Sequence, residues 1–200
     1  MFEIIATVLG LIQGVLVMLN KRSNWIVYAA QMVALVIFSY HAKLYGDMWQ
    51  NVFYFFFCLY SWWAWKEGGF ADKIKILTNE LRLITVGFII LATALFGAAL
   101  GFSDDPMPFT DAFTTVTTVV GLILMCMRRV EAWIVWFFND IAYMYQYFYL
   151  PDQALYLFGL YIVWTIFAVV TFINWLRIYN EENYDPVVDG QRRHCGISTK

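Results

Sequence analysis

Long apolar runs alternate with short polar breaks along the whole chain. The first run covers residues 4 to 19, with Gln13 as its most polar member, and the later ones place helices near 4–20, 25–40, 48–65, 83–101, 111–127, 132–149 and 153–175. At 1.5 Å per residue, a run of about 16 to 20 residues spans most of a hydrocarbon core roughly 30 Å thick. The pattern predicts an all-α integral membrane protein of seven transmembrane helices. The start reads Met1-Phe2-Glu3 and the first run ends Leu19-Asn20-Lys21-Arg22, without the basic start and small-residue cleavage site of a signal peptide, so it is read as a retained helix.

Composition agrees. The chain is 62% hydrophobic and 14% charged, whereas a soluble domain is about a quarter charged. Its charges are also sorted by side. With seven spans, the connections after helices 1, 3, 5 and 7 receive Lys21, Arg22, Lys66, Lys73, Lys75, Arg82, Arg128, Arg129, Arg177, Arg192, Arg193 and Lys200, leaving only Lys43 for the other side. Basic residues stay cytoplasmic, which puts the N-terminus outside and the C-terminus inside, in a cell (inner) membrane. The outer face carries Glu3, Asp47, Asp104, Asp105, Asp111 and Asp152, an arrangement that attracts cations. Nothing in the pattern points to nucleic acid; lipid is the expected surrounding.

The chain reads as one transmembrane domain over residues 1–177, followed by a polar cytoplasmic tail, 178–200. Within it lies a repeat. Trp25, Tyr28 and Gln31, after Lys21-Arg22, align with Trp133, Trp136 and Asn139, after Arg128-Arg129, at a constant offset of 108. Repeat one covers 4–65, repeat two 111–175, and the almost purely apolar helix 83–101 links them. A single helix between two three-helix units restores their orientation, so this 3+1+3 arrangement is a parallel repeat, with a substrate site expected between the halves.

Polar groups inside a membrane are costly and mark function. Asp140 lies about eight residues into helix 6, roughly 12 Å from its end and near the midplane. Trp133, Trp136 and Asp140 share one face at i, i+3, i+7. Two indoles and a carboxylate on one wall suit a flat cationic ring. The corresponding face of helix 2 carries Trp25, Tyr28 and Gln31, with Met32 where Asp140 falls. Asn139 and, on helix 3, Gln50 and Asn51 offer amides for a carboxamide or hydroxyls, and Tyr60 and Trp62 add aromatic surface. Helix 7 adds Trp164, with Tyr156, Tyr161 and Thr165 behind it. Trp63 and Trp65 read as an interfacial aromatic belt, and Asp111 as a helix N-cap. The three cysteines make no disulfide framework. No metal-ligand cluster or cofactor motif occurs, nor the Gly-rich Lys-Ser/Thr loop that binds ATP.

Three segments carry a resemblance: Tyr60-Ser61-Trp62-Trp63-Ala64-Trp65, Pro108-Phe109-Thr110-Asp111, and Glu131-Ala132-Trp133-Ile134-Val135-Trp136 with Asp140. The chain resembles the PnuC family of nicotinamide riboside transporters over nearly its whole length. That family shows Trp-x2-Trp-x3-Asn or Asp in its sixth helix, at positions that line the substrate site. Ser61 stands for the usual Gly, Asn51 for a common Gln, Cys58 where Asn is found, and an acid occupies position 140. The resemblance implies seven helices in a 3+1+3 repeat, a homotrimer, and facilitated diffusion of the riboside for NAD synthesis, trapped inside by a kinase. The alternative within the class is a transporter of thiamine or another vitamin or nucleoside. An intramembrane enzyme would need a Ser-His pair, a His/Glu metal set or an aspartyl pair inside the helices, and the sequence offers one intramembrane Asp and no intramembrane His. A sensor that binds without flux is the third reading.

The charge pattern makes a direct prediction. A reporter fused after Lys200 should be cytoplasmic and one in the 102–107 loop external; the reverse would reject the topology.

Overall fold

In the computed structural model, residues 2–41, 45–69, 71–102, 106–149 and 155–183 are described. They form seven α-helices: α1 (Phe2–Met18), α2 (Asn24–His41), α3 (Tyr45–Ala64), α4 (Asn79–Leu100), α5 (Pro108–Cys126), α6 (Ala132–Tyr149) and α7 (Leu155–Glu182). Three stretches, Asn79–Leu100, Pro108–Cys126 and Phe158–Glu182, are long and apolar enough to cross a membrane; Val8–Met18 and Asn24–Ile37 are shorter apolar stretches. In α6 the hydropathy is lowered by Asn139 and Asp140 among others, and these two face the interior.

Packing follows chain order. α1 lies on α2 and α2 on α3; α4 lies on α5, α5 on α6 and α6 on α7; α1 meets α7 and so joins the two groups. α4 touches its own group on one side only, burying Gly97 alone and leaving Leu83 74% exposed. A face so apolar requires lipid or another chain, not water.

The connections α1–α2 and α5–α6 match bond for bond. Each first helix ends in a left-handed residue, Asn20 (φ 53°) and Arg128 (φ 49°). In each, the next amide reaches back five residues, Lys21 to the Leu16 carbonyl and Arg129 to the Leu124 carbonyl, both at 2.8 Å. This is the Schellman closure of a helix end. The second helix then opens with Trp25 N–H to Arg22 and Trp133 N–H to Val130, each at 3.2 Å. A left-handed arginine is strained, and side-chain contacts hold it: its guanidinium donates to the Asp72 carbonyl and lies 4.1 Å over the Trp65 ring. Burial lowers its pKa to about 10, so it stays charged at neutral pH.

The polar segment before α4 is anchored, not loose. Ala71, Ile74 and Leu77 are buried. Lys75 pairs with the α5–α6 connection, donating to the Arg128 carbonyl at 3.0 Å and accepting from Val130 at 3.1 Å. Glu131 takes the Leu77 amide at 3.1 Å and Arg82 at 2.8 Å.

Several expectations change. α4 begins at Asn79, four residues before the apolar run, because the Thr78 hydroxyl accepts from the Leu81 amide at 3.3 Å and caps it. α5 begins at Pro108 with Met107 at the N-cap position, so Asp111 sits in the first turn and not at the cap. There its charge meets the helix dipole. α7 runs through Glu182, seven residues past the end of the hydropathic run, with Arg177 and Glu181 paired at 2.7 Å one turn apart. Helix formation there needs no apolar surface, so the first residues of the 178–200 tail are helical; 184–200 lie outside the described residues. Trp63 is half exposed under Lys66, as a belt residue would be, whereas Trp65 is 2% exposed and belongs to the core.

Glu131→Ala strands a half-exposed arginine and the buried Leu77 amide. It should cost about 1–3 kcal/mol, read as a lower melting temperature in detergent, with Glu131→Gln losing less. An unchanged melting temperature would leave the anchored segment without a stabilising role.

Candidate functional site

Five helices, α1, α2, α5, α6 and α7, surround a cavity of about 270 Å³. The periodicity of α6 builds one wall: Trp133, Trp136, Asp140 and then Tyr143 line it, continuing the i, i+3, i+7, i+10 face. Tyr28 and Gln31 come from α2, Gln13 from α1, Thr118 from α5, and Tyr161 and Trp164 from α7.

Asp140 is 5% exposed and lines this cavity. The ion pairs among the described residues are Arg82–Glu131 and Arg177–Glu181, so no described cation pairs with it. Among the described residues, no Lys, Arg or His lines the cavity. Its neighbour Asn139 is held from α5: the Thr117 hydroxyl donates to the amide oxygen at 2.8 Å, with the Phe113 carbonyl as its alternative acceptor at 2.6 Å. The side-chain amide nitrogen is then the half of Asn139 free to serve the cavity. The indole N–H groups of Trp133 and Trp136 are buried without a hydrogen-bond partner. Tyr143 and Tyr161 stack at 4.5 Å and tie α6 to α7.

Three glycines make room for these side chains. A Cβ on Gly121 would stand 2.9 Å from the Trp136 ring, one on Gly14 would stand 2.9 Å from Trp164, and one on Gly10 would stand 2.7 Å from the Gln31 amide nitrogen. Each lies on a first helix, α1 or α5, behind a site residue of another helix.

Of the residues picked from the sequence, Trp133, Trp136, Asn139, Asp140, Tyr28, Gln31 and Trp164 meet at this cavity. α3 contributes no lining side chain. Asn51 is half-buried on α3; Tyr60 is 51% exposed beside Trp63, and Trp62 lies under the Arg22 guanidinium at 3.9 Å. The Gln50 side chain lies outside the described ones. The structure thus does not bring Asn51, Tyr60 and Trp62 to the cavity, because α3 packs on α2 and its aromatic residues point in every direction. Sequence reasoning passed over Gln13, Thr118 and Tyr143. Gln13 was visible as the polar residue of an apolar run, and Tyr143 as the next step of the α6 face.

The family profile described as nicotinamide mononucleotide transporter matches residues 1–177. The nicotinamide riboside transporter PnuC of Neisseria mucosa is 26% identical over 187 residues, 87% of this chain and 71% of that protein. Its namesake in Escherichia coli is 24% identical over 163 residues, 67% of this chain and 68% of that one. The riboflavin/roseoflavin transporter RibM of Streptomyces davaonensis is 28% identical over 152 residues, 70% of this chain and 68% of that one. Among solved structures, the crystal structure of the vitamin B3 transporter PnuC is similar with a TM-score of 0.68 at 25% identity, covering 88% of this chain and 81% of that chain.

Gly→Ala in a helix normally gains about 1 kcal/mol. Gly121→Ala, Gly14→Ala and Gly10→Ala should nevertheless lower the melting temperature, whereas Gly87→Ala and Gly159→Ala, with nothing within 4 Å of the added carbon, should hold or raise it. A rise in all five would mean that the clearances are not needed.

Proposed function

The chain belongs to the nicotinamide mononucleotide transporter family, and from that premise we propose that it takes up nicotinamide riboside through the cavity between its helices. The observation that carries this reading is the Asp140 carboxyl among aromatic walls, with no basic residue beside it among the described residues. A cationic ring supplies the missing charge and stacks on Trp136. A phosphate finds no cationic partner among the described lining residues and meets the Asp140 carboxyl instead, which favours the riboside over the mononucleotide. The volume, about 270 Å³, falls just below the usual range of ligand pockets, roughly 300–1,000 Å³, and favours a single-ring vitamin over a tricyclic flavin. Gln13, Gln31 and Asn139 are suited to a carboxamide and ribose hydroxyls.

In this reading transport is facilitated diffusion, and an intracellular kinase traps the product. The halves α1–α3 and α5–α7 act as a parallel repeat linked by α4; the matched connections at Asn20 and Arg128 support this. The membrane domain spans 1–177, with the helix ends carrying Lys21-Arg22 and Arg128-Arg129 on the cytoplasmic side. The exposed apolar face of α4 supports a homotrimer seated in lipid.

Asp140→Asn preserves size and removes the charge. In binding and proteoliposome uptake assays it should weaken cationic nicotinamide riboside by on the order of 1 to 2 kcal/mol more than the neutral reduced riboside. The comparison cancels any uniform loss of active protein. Equal losses for both ligands would make Asp140 structural, and uptake of neither by the parent protein would reject the riboside altogether.

A further inference from the structure

Beneath the cavity, at the end of the bundle where α1 and α5 stop, four buried indoles form an unbroken layer. Trp25 meets Trp65 edge-on at 5.4 Å, Trp65 meets Trp175 at 5.7 Å, and Trp175 meets Trp133 edge-on at 5.3 Å. The order runs from α2 through the end of α3 and across to α7 and α6. Val17, Met125 and Trp133 line the cavity just above. The layer is therefore the floor of the cavity.

The two central indoles do more than pack. Trp65 Nε1, from the first half, donates to the Cys126 carbonyl at the end of α5 at 2.7 Å. Trp175 Nε1, from the second half, donates to the Val17 carbonyl at the end of α1 at 3.0 Å. The third helix of each half thus caps the first helix of the other, and the Arg128 guanidinium over the Trp65 ring clamps one of the pair. Terminal helix carbonyls lack an intrahelical donor, and in a dry layer that deficit is not met by water. Each half therefore satisfies a carbonyl of its partner only while the floor is shut.

We propose that Trp65 and Trp175 are positioning residues for substrate passage, a reciprocal pair of indole–carbonyl ties that holds the cavity closed at this end and must break for release there. The proposal rests on the transport reading above. The ties are unequal. The Val17 carbonyl also accepts the Asn20 amide at 2.9 Å, whereas among the described residues Trp65 is the donor given for the Cys126 carbonyl. Losing the Trp65 tie leaves that carbonyl bare, so it dominates.

The layer contains its own control. Trp25 is as buried as Trp65 and Trp175, but its Nε1 has no partner, so Trp25→Phe removes the same ring atoms and breaks no tie. In proteoliposomes of a chain with Cys58, Cys126 and Cys195 changed to Ala, Ala168→Cys reports on the cavity through a membrane-impermeant maleimide added to either face. Trp65→Phe and Trp175→Phe should raise labelling several-fold from the face carrying Lys21 and Arg128, Trp65→Phe more strongly, with Trp25→Phe unchanged. Equal rises in all three would reduce the layer to packing, and no rise in variants that still bind nicotinamide riboside would overturn the ties. Should the variants not fold, indole N–H exchange in the unaltered chain decides: Trp65 and Trp175 should open together at one rate, and independent rates refute a shared latch. A chain that neither binds nor carries the riboside, yet labels as expected, would sink the transport reading and not the ties.

Discussion

A helix end buried inside the protein leaves carbonyls with no water to meet them, and the way α1 and α5 satisfy theirs organises this protein. Each turns its chain with one left-handed residue and takes an indole donor from the opposite half. Those two donors come from the end of α3 and from within α7, so the halves cannot be placed independently. The meeting of α1 with α7, the Trp layer and the cavity above it all follow from that shared solution.

Above the layer the chemistry is set by what is withheld from Asp140. Cations are plentiful at the helix ends, but they are occupied elsewhere: Arg128 by the Asp72 carbonyl and Trp65, Arg82 by Glu131, Arg22 by the Trp62 carbonyl and ring. The carboxylate is left to the cavity. Its walls are rigid because the large side chains press against glycine backbones, at Gly121 for Trp136 and Gly14 for Trp164. In the proposed reading, aromatic walls with one acid discriminate by charge and flatness before any hydrogen bond is made.

The division between helices that build the site and helices that support it explains where periodicity was informative. On α6 a charged residue in a largely apolar run marks an inward face, and Trp133, Trp136 and Asp140 were legible from spacing alone. On α3 aromatic residues occupy every direction, so Tyr60 and Trp62 carried no directional signal, and they lie outside the cavity. Trp65 looked like its neighbours Trp62 and Trp63; burial separates it from them.

Read alone, the sequence determined the membrane class, the seven helices, the matched connections and the α6 wall, because hydropathy, helical period and turn chemistry are local properties written every few residues. Only the tertiary structure decided that α1 supplies Gln13, that Tyr143 extends the wall toward Tyr161, that α3 stands apart, and that Trp65 and Trp175 cap helices more than 60 residues away in the chain. Those facts depend on which faces of different helices meet. The membrane supplies no hydrophobic pressure to sort apolar faces against one another; the sorting is done by a few glycine clearances and buried donor–acceptor pairs, whose partners lie far apart in sequence.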